Sequence, residues 1–472
     1  MNESQATAEA LSFLWSRLAG GVLVPGDEGY ESARGVWNGM IDKRPAAIVR
    51  CNNEQDVATA IEAARRFGLP LAVRGGGHNV AGLATCDGGI VADMSPMNRV
   101  SVDPRRRLAT VQGGAQWRDV DAATQQYGLA APAGLVSDTG VAGLTLGGGI
   151  GWLRRKHGLT CDNVVAAELV TADGRRVVAS ETENPELLWA LRGGGGNFGI
   201  VTSFTFRLHP VGPEVAFVLA YFDGDQIAKG LKAFRDFSTD VPVEAAPVAF
   251  TATIPEGLEG VPDAAIGRPA LAVGCVYAGP PEEGERVLRP LRELVPGLVA
   301  DMSGRLPYTS VQQLLDEEYP RGRRYYWKSA ALDSLSDEVI GIVVESARRQ
   351  PSPLSTIDLW TMGGESRNEP AGGSAYAGRQ AAFLVNPEAN WEDPGDDRAN
   401  VAWARDLLEA LKPFTTGTYL NFPGALEEGE RQLRTAFADH YERLVKIKTR
   451  WDPGNLFRLN HNVRPDTEAD AA

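Results

Sequence analysis

The sequence predicts an α+β chain in which two glycine-rich α/β subdomains precede an antiparallel sheet covered by helices. Three observations carry this expectation. At 472 residues the chain is too long for one ordinary core. Its 53 glycines exceed the usual share of roughly 7%, and they gather in residues 74–89, 134–151 and 193–199. After His209-Pro210 such clusters nearly vanish, and strand-like runs alternate with helix-like ones.

Residues 46–110 read as a compact α/β unit, the core of a first subdomain at about 40–110. AAIVRC is a strand, and NEQDVATAIEAARRFG is a helix capped by Asn53 and ended by Gly68. Val57, Ala60, Ile61, Ala64 and Phe67 share one face of it. LAVRGGG runs from strand into loop, GGIVADM is a strand, and RVSVDPRRRLATVQ is a hairpin turned at Asp103-Pro104. A second subdomain spans about 112–213. There AQWRDVDAATQQYG is a helix closed by Gly128, and GLVSDTGVAGLTLGGGIGWL is a long glycine-rich loop. AAELVTADGRRVVAS is a hairpin turned on Asp173-Gly174. ENPELLWALR is a helix with Asn184 as cap and Pro185 first. In GIVTSFTFRLHP, Ile200, Thr202, Phe204, Phe206 and Leu208 alternate as in a strand. From 214 to 414, EVAFVLAYF, PALAVGCVYA, RRYYWKSAAL and STIDLWTMG alternate with the helices EEGERVLRPLREL and SDEVIGIVVESARRQ. Beyond these, residues 429–451 read as one amphipathic helix stopped by Asp452-Pro453-Gly454, and DTEADAA as a frayed tail.

Lys+Arg 47 against Asp+Glu 61 leaves a charge of −14, which argues against nucleic acid or an anionic membrane as partner. The N-terminus lacks a basic region followed by an apolar core, so no signal peptide is expected. No run approaches the roughly 18 apolar residues of a membrane span. Cys51, Cys86, Cys161 and Cys275 lie far apart, as in a reduced cytoplasmic setting. The five histidines show no metal spacing, so no metal is expected.

The glycine clusters carry the chemistry. GGGNFG at 194–199 fits GxGxxG, but a helix precedes it and a strand follows, the reverse of a dinucleotide-binding turn. No GxxxxGK[ST] occurs. Any one cluster is compatible with a tight turn. Three together favour one extended phosphate-bearing ligand of flavin-dinucleotide size, threaded between two subdomains and held by backbone N–H groups without lysine. His78, at the rim of the first cluster, can be a ligand, a base, a nucleophile or a filled turn position.

These segments also carry a resemblance. VRGGGHNVAG (73–82), GLTLGGGIGWLRRKHGLTCDNV (143–164), WALRGGGGNFGIVTSFTF (189–206) and YERLVKIKTRWDPGNLF (441–457) resemble the berberine-bridge-enzyme-like FAD-linked oxidases, within the vanillyl-alcohol-oxidase or PCMH-type flavin fold. The resemblance implies that residues 1–213 and 415–472 form one FAD domain, with 214–414 laid over the flavin ring as a substrate domain. It implies that His78 is bonded to the 8α-methyl carbon, whose quinone-methide form accepts an imidazole nitrogen, and that this link raises the flavin's potential. Expected cofactor contacts around it are Val73, Arg74, Gly75, Gly76, Gly77, Asn79 and Gly82. From the second cluster come Gly134, Val136, Asp138, Thr139, Gly140, Gly143, Leu144, Gly147, Gly148, Gly149, Gly151, Asp162 and Val164. Gly199, Val201, Asn421 and Asn460 complete them. Many members carry a second link from a cysteine. That position falls near Val136, which cannot make it, and Cys86 and Cys161 sit elsewhere, so a single tether is expected. Thr139, Ala142 and Leu144 lie beside the ring, where they can set oxygen access.

Dehydrogenation by a flavin needs a substrate C–H over N5 and a group for the other proton. Tyr419 and Asn421, in GTYLNFPG, match the family's Y-x-N strand. A tyrosine near pKa 10 needs positive charge nearby to act as base, and Lys328, in RYYWKS, can supply it with Tyr326 beside it. Against this, Tyr419 can be a cross-strand packing aromatic, and Tyr325, Tyr326 and Trp327 core residues, adjacent ones on opposite faces. Asp358 and Trp360 share a face and can floor the pocket. His157 and His461 read as structural, His209 as a domain-boundary marker and His440 as exposed on a helix. The expected protein is an FAD-dependent oxidase of a small molecule, acting on an alcohol, hydroxylated or amine carbon and reoxidised by O2 to give hydrogen peroxide. A dehydrogenase with another acceptor, and a flavin-containing binding protein without turnover, stay open.

Overall fold

The computed structural model describes residues 3–18, 21–257, 261–423 and 429–466. The terminal tail from 467 onward lies outside the described residues. Among those described, no helix is long and apolar enough to cross a membrane.

The first sheet places Val22–Leu23, Ala47–Arg50, Ile90–Asp93 and Leu71–Arg74 in that order, the last three parallel. Parallel pairing requires a crossover, and helix Glu54–Phe67 supplies it. The Asn53 side chain accepts from the N–H groups of Gln55 and Asp56, and Gly68 ends the helix at φ +68°. Val57, Ala60, Ile61 and Ala64 are buried with Ile90 and Ala92.

The second sheet runs Val100–Asp103, Leu108–Gln112, Ile200–Arg207, Val164–Val170, Arg176–Ser180, all antiparallel. The hairpin at 100–112 therefore belongs here and not to the first subdomain as expected. Its local pattern specifies a hairpin, but its sheet is chosen by Phe204 opposite Val111 and Phe206 opposite Ala109. Three further expectations change. The loop at 134–151 contains a helix, Val141–Leu146. Asn184 sits at its helix start with φ +50°, and its amide donates to the Val178 carbonyl at 2.7 Å instead of accepting from the first turn. The terminal helix is two, Glu430–Phe437 and Tyr441–Trp451, because Ala438 between them has a positive φ. The break lets Leu433 and Phe437 face the same core as Leu444 and Ile447.

The third sheet has ten antiparallel strands. Its main path is Leu298–Asp301, Glu214–Asp223, Pro269–Tyr277, Val248–Thr253, Thr356–Thr361, Phe383–Trp391, Ala330–Leu332, Thr415–Gly417. Gly304–Pro307 also pairs with 214–223, and Arg324–Trp327 with 383–391. The chain leaves this sheet only after Gly417, later than the expected boundary at 414. Helices Ile227–Thr239, Pro281–Arg292, Asp337–Ala347 and Asp397–Leu411 bury one face, taking Ala216, Val218, Ala220 and Phe222. The alternate residues Val215, Phe217 and Leu219 face the other way, onto Trp152, Leu153 and Leu159 of the glycine-rich region. The sheet thus has a helix side and a cleft side.

Candidate active site

All three glycine clusters line one cleft, which continues beneath the cleft side of the third sheet. Gly76 and Gly140 approach so closely that a Cβ on either would run into the backbone of the other. Gly77, at φ +74°, turns the chain in a conformation that L side chains rarely adopt. No lysine or arginine is among the described lining residues. Negative charge there would be met by backbone N–H groups, the means by which glycine loops hold phosphates. Asn460 lines the same wall with its amide donating to Gly196 and Phe457 carbonyls, at 3.0 and 2.9 Å, and its buried Oδ1 unpartnered. His461 lines it as well, pushed down to about 4 by burial and so neutral. A backbone-walled slot with apolar flanks and spare polar atoms fits a flavin dinucleotide.

His78 stands where the slot meets the third sheet. Its ring stacks on Trp37, with centroids 5.1 Å apart and planes at 21°. Trp37 in turn stacks on Tyr325 at 3.6 Å and 10°. His78 Nε2 lies 2.8 Å from Asp138 Oδ1, and Arg321 Nε lies 3.6 Å from the other carboxylate oxygen. Burial opposes ionisation of Asp138, but contact with His78 and the charges of Arg321 and Arg118 outweigh it and hold its carboxyl below the usual value.

Beyond His78 the cleft opens into a chamber walled by Leu315, Tyr319, Trp327, Trp360, Tyr419 and Phe422. Two carboxyl groups enter it, Asp358 and Glu388. They lie on neighbouring strands with Thr356 opposite Glu388 and Asp358 opposite Asn386, so they sit diagonally on one face and hydrogen bond to each other. Tyr319 donates to Glu388 at 3.0 Å and Thr356 donates to Asp358 at 2.7 Å. Burial pushes Asp358 up to about 7. Burial and then the charge of Asp358 push Glu388 well above the usual carboxylate range. Near neutrality such a pair retains a shared proton.

Of the residues expected at the cofactor, Val73, Gly75, Gly76, Gly77, His78, Asn79, Gly134, Val136, Thr139, Gly140, Gly143, Leu144, Gly147, Gly199, Val201, Asn421 and Asn460 line the cleft. The others do not. Arg74 pairs with Asp93 at 2.7 Å, and Gly82 sits against Ile41. Asp162 holds Arg379 at 2.6 Å, the Val164 carbonyl accepts from Arg192, and Gly151 abuts the Ala133 carbonyl. Gly148 packs on Tyr376, and Gly149 donates its N–H to the Tyr419 hydroxyl at 3.0 Å. Asp138 lies behind His78, 2.8 Å from its Nε2.

The expected proton-transfer group needs correcting. Tyr326 and Lys328 are on the helix side of the sheet, where Tyr326 packs in the core beneath the helices and accepts from Arg405 Nε at 3.1 Å. Lys328 Nζ lies 5.0 Å from the Tyr326 ring centroid. Strand parity aims Tyr325 and Trp327 at the cleft side instead. Tyr419 does reach the chamber, from a turn and not a strand, and its hydroxyl accepts from Asn421 Nδ2 at 2.8 Å as well as from Gly149. Burial nonetheless pushes its phenol far up. Glu388 was missed, because FLVNPEANW offers no signal beyond an ordinary strand. His461 is likewise part of the cleft, and His157 and His209 stack on each other at 3.9 Å away from it. His440 is part-buried, with Nδ1 3.2 Å from the Ala375 carbonyl. Among the described residues no His, Cys, Asp or Glu group could hold a metal ion.

Residues 45–180 match the FAD binding domain family, and residues 418–464 match the family described as berberine and berberine like. An FAD-linked oxidoreductase of Dictyostelium discoideum is 30% identical over 98% of this chain and 99% of its own length. The (R)-6-hydroxynicotine oxidase of Paenarthrobacter nicotinovorans is 30% identical over 95% of this chain and 97% of its own. Among solved structures, the glucooligosaccharide oxidase of Acremonium strictum superimposes with a TM-score of 0.84 at 24% identity, covering 97% of this chain and 99% of that one. That structure is described by its 6-S-cysteinyl, 8α-N1-histidyl FAD.

Proposed function

The chain belongs to the berberine-bridge-enzyme-like FAD-linked oxidoreductases, and from that premise we propose a covalent flavoprotein oxidase of a small amine. Bound FAD supplies the redox chemistry, accepting a hydride at N5 and passing the electrons to O2 as hydrogen peroxide. The glycine loops hold its diphosphate through backbone N–H groups, and His78 tethers its ring. Val136 lines the cleft where a cysteine would be needed for a second link, and none of the four cysteines does. The tether is therefore single.

The observation that carries the substrate assignment is the Asp358–Glu388 pair inside aromatic walls. An ammonium group is attracted by aromatic walls such as Trp327 and Tyr319, and by a carboxyl pair that ionises once a cation enters. The pair then accepts the ammonium proton and leaves the nitrogen lone pair free to assist loss of hydride from the adjacent carbon. The name of the 6-hydroxynicotine oxidase relative is in keeping with an amine.

The test has two parts. Protein precipitated in acid is expected to keep its yellow colour. Mixed anaerobically with a panel of cyclic amines and their alcohol counterparts, the enzyme is expected to be bleached by amines and then to consume oxygen on aeration. Release of all flavin by acid would refute the tether. Bleaching by alcohols alone would refute the amine, and bleaching without oxygen uptake would mark a dehydrogenase.

A further inference from the structure

We propose that Asp138 is the positioning residue for attachment of the flavin: it selects the imidazole nitrogen that bonds and takes the proton that bonding releases. This rests on the reading of His78 as the tether and extends it to the group behind His78.

The geometry is specific. Asp138 Oδ1 is 2.8 Å from Nε2 of His78, while Nδ1 meets no hydrogen-bond partner among the described residues. Nε2 makes no completed hydrogen bond in this geometry, and a turn of the ring toward Oδ1 is needed to form one. Trp37 stacks on the ring and holds its plane. Its backbone N–H donates to the Gly77 carbonyl at 3.0 Å, and its indole N–H to the Tyr319 carbonyl at 2.9 Å, so the stacking platform is fixed to the loop that carries His78. Arg321 completes the cluster. It pairs with the far oxygen of Asp138 at 3.6 Å and also donates to the Gly76 carbonyl.

A carboxylate at Nε2 holds the proton of a neutral imidazole on that nitrogen, and the lone pair is then on Nδ1. Attack by Nδ1 on the 8α-methyl carbon forms one C–N bond and breaks one C–H bond. The methyl proton leaves to solvent, and the alkylated ring sheds its Nε2 proton to Asp138. The electron pair of the broken C–H bond remains on the flavin ring. Dioxygen removes those two electrons with two protons as hydrogen peroxide, restoring the oxidised ring. Without a charged acceptor at Nε2, the imidazole populates both tautomers and the proton freed by bonding has only solvent to take it.

Apoprotein made under riboflavin limitation is mixed with FAD. Attachment is followed by fluorescence of the denatured band and by an intact-mass gain of one FAD less two hydrogens. Asp138→Asn is expected to bind FAD with wild-type affinity and spectrum but to attach it roughly a hundred-fold more slowly, the scale of a lost general base. Asp138→Glu is expected to regain part of the rate, and Arg321→Met to lose several-fold. The flavinyl peptide of the wild type is expected to be linked through Nδ1. Wild-type attachment rates in Asp138→Asn, or linkage through Nε2, would overturn the proposal. If Asp138→Asn fails to hold FAD at all, Asp138→Glu and Arg321→Met decide: unchanged rates in both would overturn it, and slowed attachment with intact FAD affinity supports it. A wild type that never tethers flavin overturns the tether itself, whereas a tethered wild type with an indifferent Asp138 overturns only this inference.

Discussion

The two ends of the cleft are built by opposite means. At the glycine end, recognition is carried by backbone: Gly76 against Gly140, no lysine or arginine among the described lining residues, and spacing set by absent side chains. In the chamber it is carried by side chains, Tyr319, Trp327, Asp358, Trp360 and Glu388, drawn from a loop and three strands of one sheet. A backbone cradle needs consecutive residues, so it is written as a contiguous motif. A side-chain chamber needs only register, and its members are scattered. The first kind of site is intolerant of added atoms, and the second of altered charge.

The largest expected effect tests that intolerance. Gly76→Val places a branched side chain where Gly140 backbone already sits, and the overlap involves two loops that cannot give way separately. Overpacking of this kind costs about 1–3 kcal/mol or more. The variant is expected to purify colourless, with a lowered melting temperature and no flavin taken up on addition. A yellow Gly76→Val protein would show that the two loops are not in contact as described.

The chamber should respond differently. Glu388→Gln preserves shape but leaves the pair without its second ionisable group. Turnover with an amine is expected to fall by about 10²–10⁴, as for a removed proton acceptor, while the flavin spectrum and melting temperature stay close to wild type. A drop below tenfold would return Tyr419 to consideration.

How much of this could be read in advance follows the same division. Gly75, Gly76, Gly77 and His78 were identifiable because their function is a property of a short stretch. The helix at 54–67, with Asn53 and Gly68 at its ends, was identifiable for the same reason. Glu388 was not, because it becomes a site residue only when strand 383–391 aligns Glu388 with Thr356 and brings it diagonal to Asp358. The hairpin at 100–112 joins a sheet whose neighbouring strand begins at Ile200, and nothing local specifies that partner. In RYYWK, alternation was evident but its phase was not. The cleft face belongs to Tyr325 and Trp327, and Tyr326 lies on the helix face.

Asp358→Asn probes the coupling inside the pair. The folded carboxyl of Asp358 is raised to about 7, above its unfolded value of about 3.9, so the unfolded chain ionises first and wild-type stability declines as pH rises between them. The variant is expected to show a flatter melting-temperature profile across that window. Removing the Asp358 charge also removes a contribution that raises Glu388. The acid limb of kcat/KM, where activity grows as the pair gives up its proton, is therefore expected to move to lower pH. An unmoved limb would separate the two carboxyl groups functionally.

The smallest effect is expected on the far side of the same sheet. Tyr326 neighbours Trp327 in the chain, yet its hydroxyl accepts from Arg405 under the helices, 3.1 Å from Nε. Tyr326→Phe removes that hydrogen bond and keeps the ring, so the expected cost is about 1 kcal/mol of stability, a melting shift of a few degrees at most for a chain of this size. The amine rate constant and the flavin spectrum are expected to be unchanged. The strand at 324–327 pairs along its length with 383–391, placing Trp327 opposite Glu388 and Tyr326 opposite Ala389, and a one-residue slip would exchange the two faces. Were Tyr326→Phe to cut turnover while sparing stability, the strand would have to sit in that slipped register. Glu388 would then lose Trp327 as its neighbour, and the chamber would have to be rebuilt around a tyrosine.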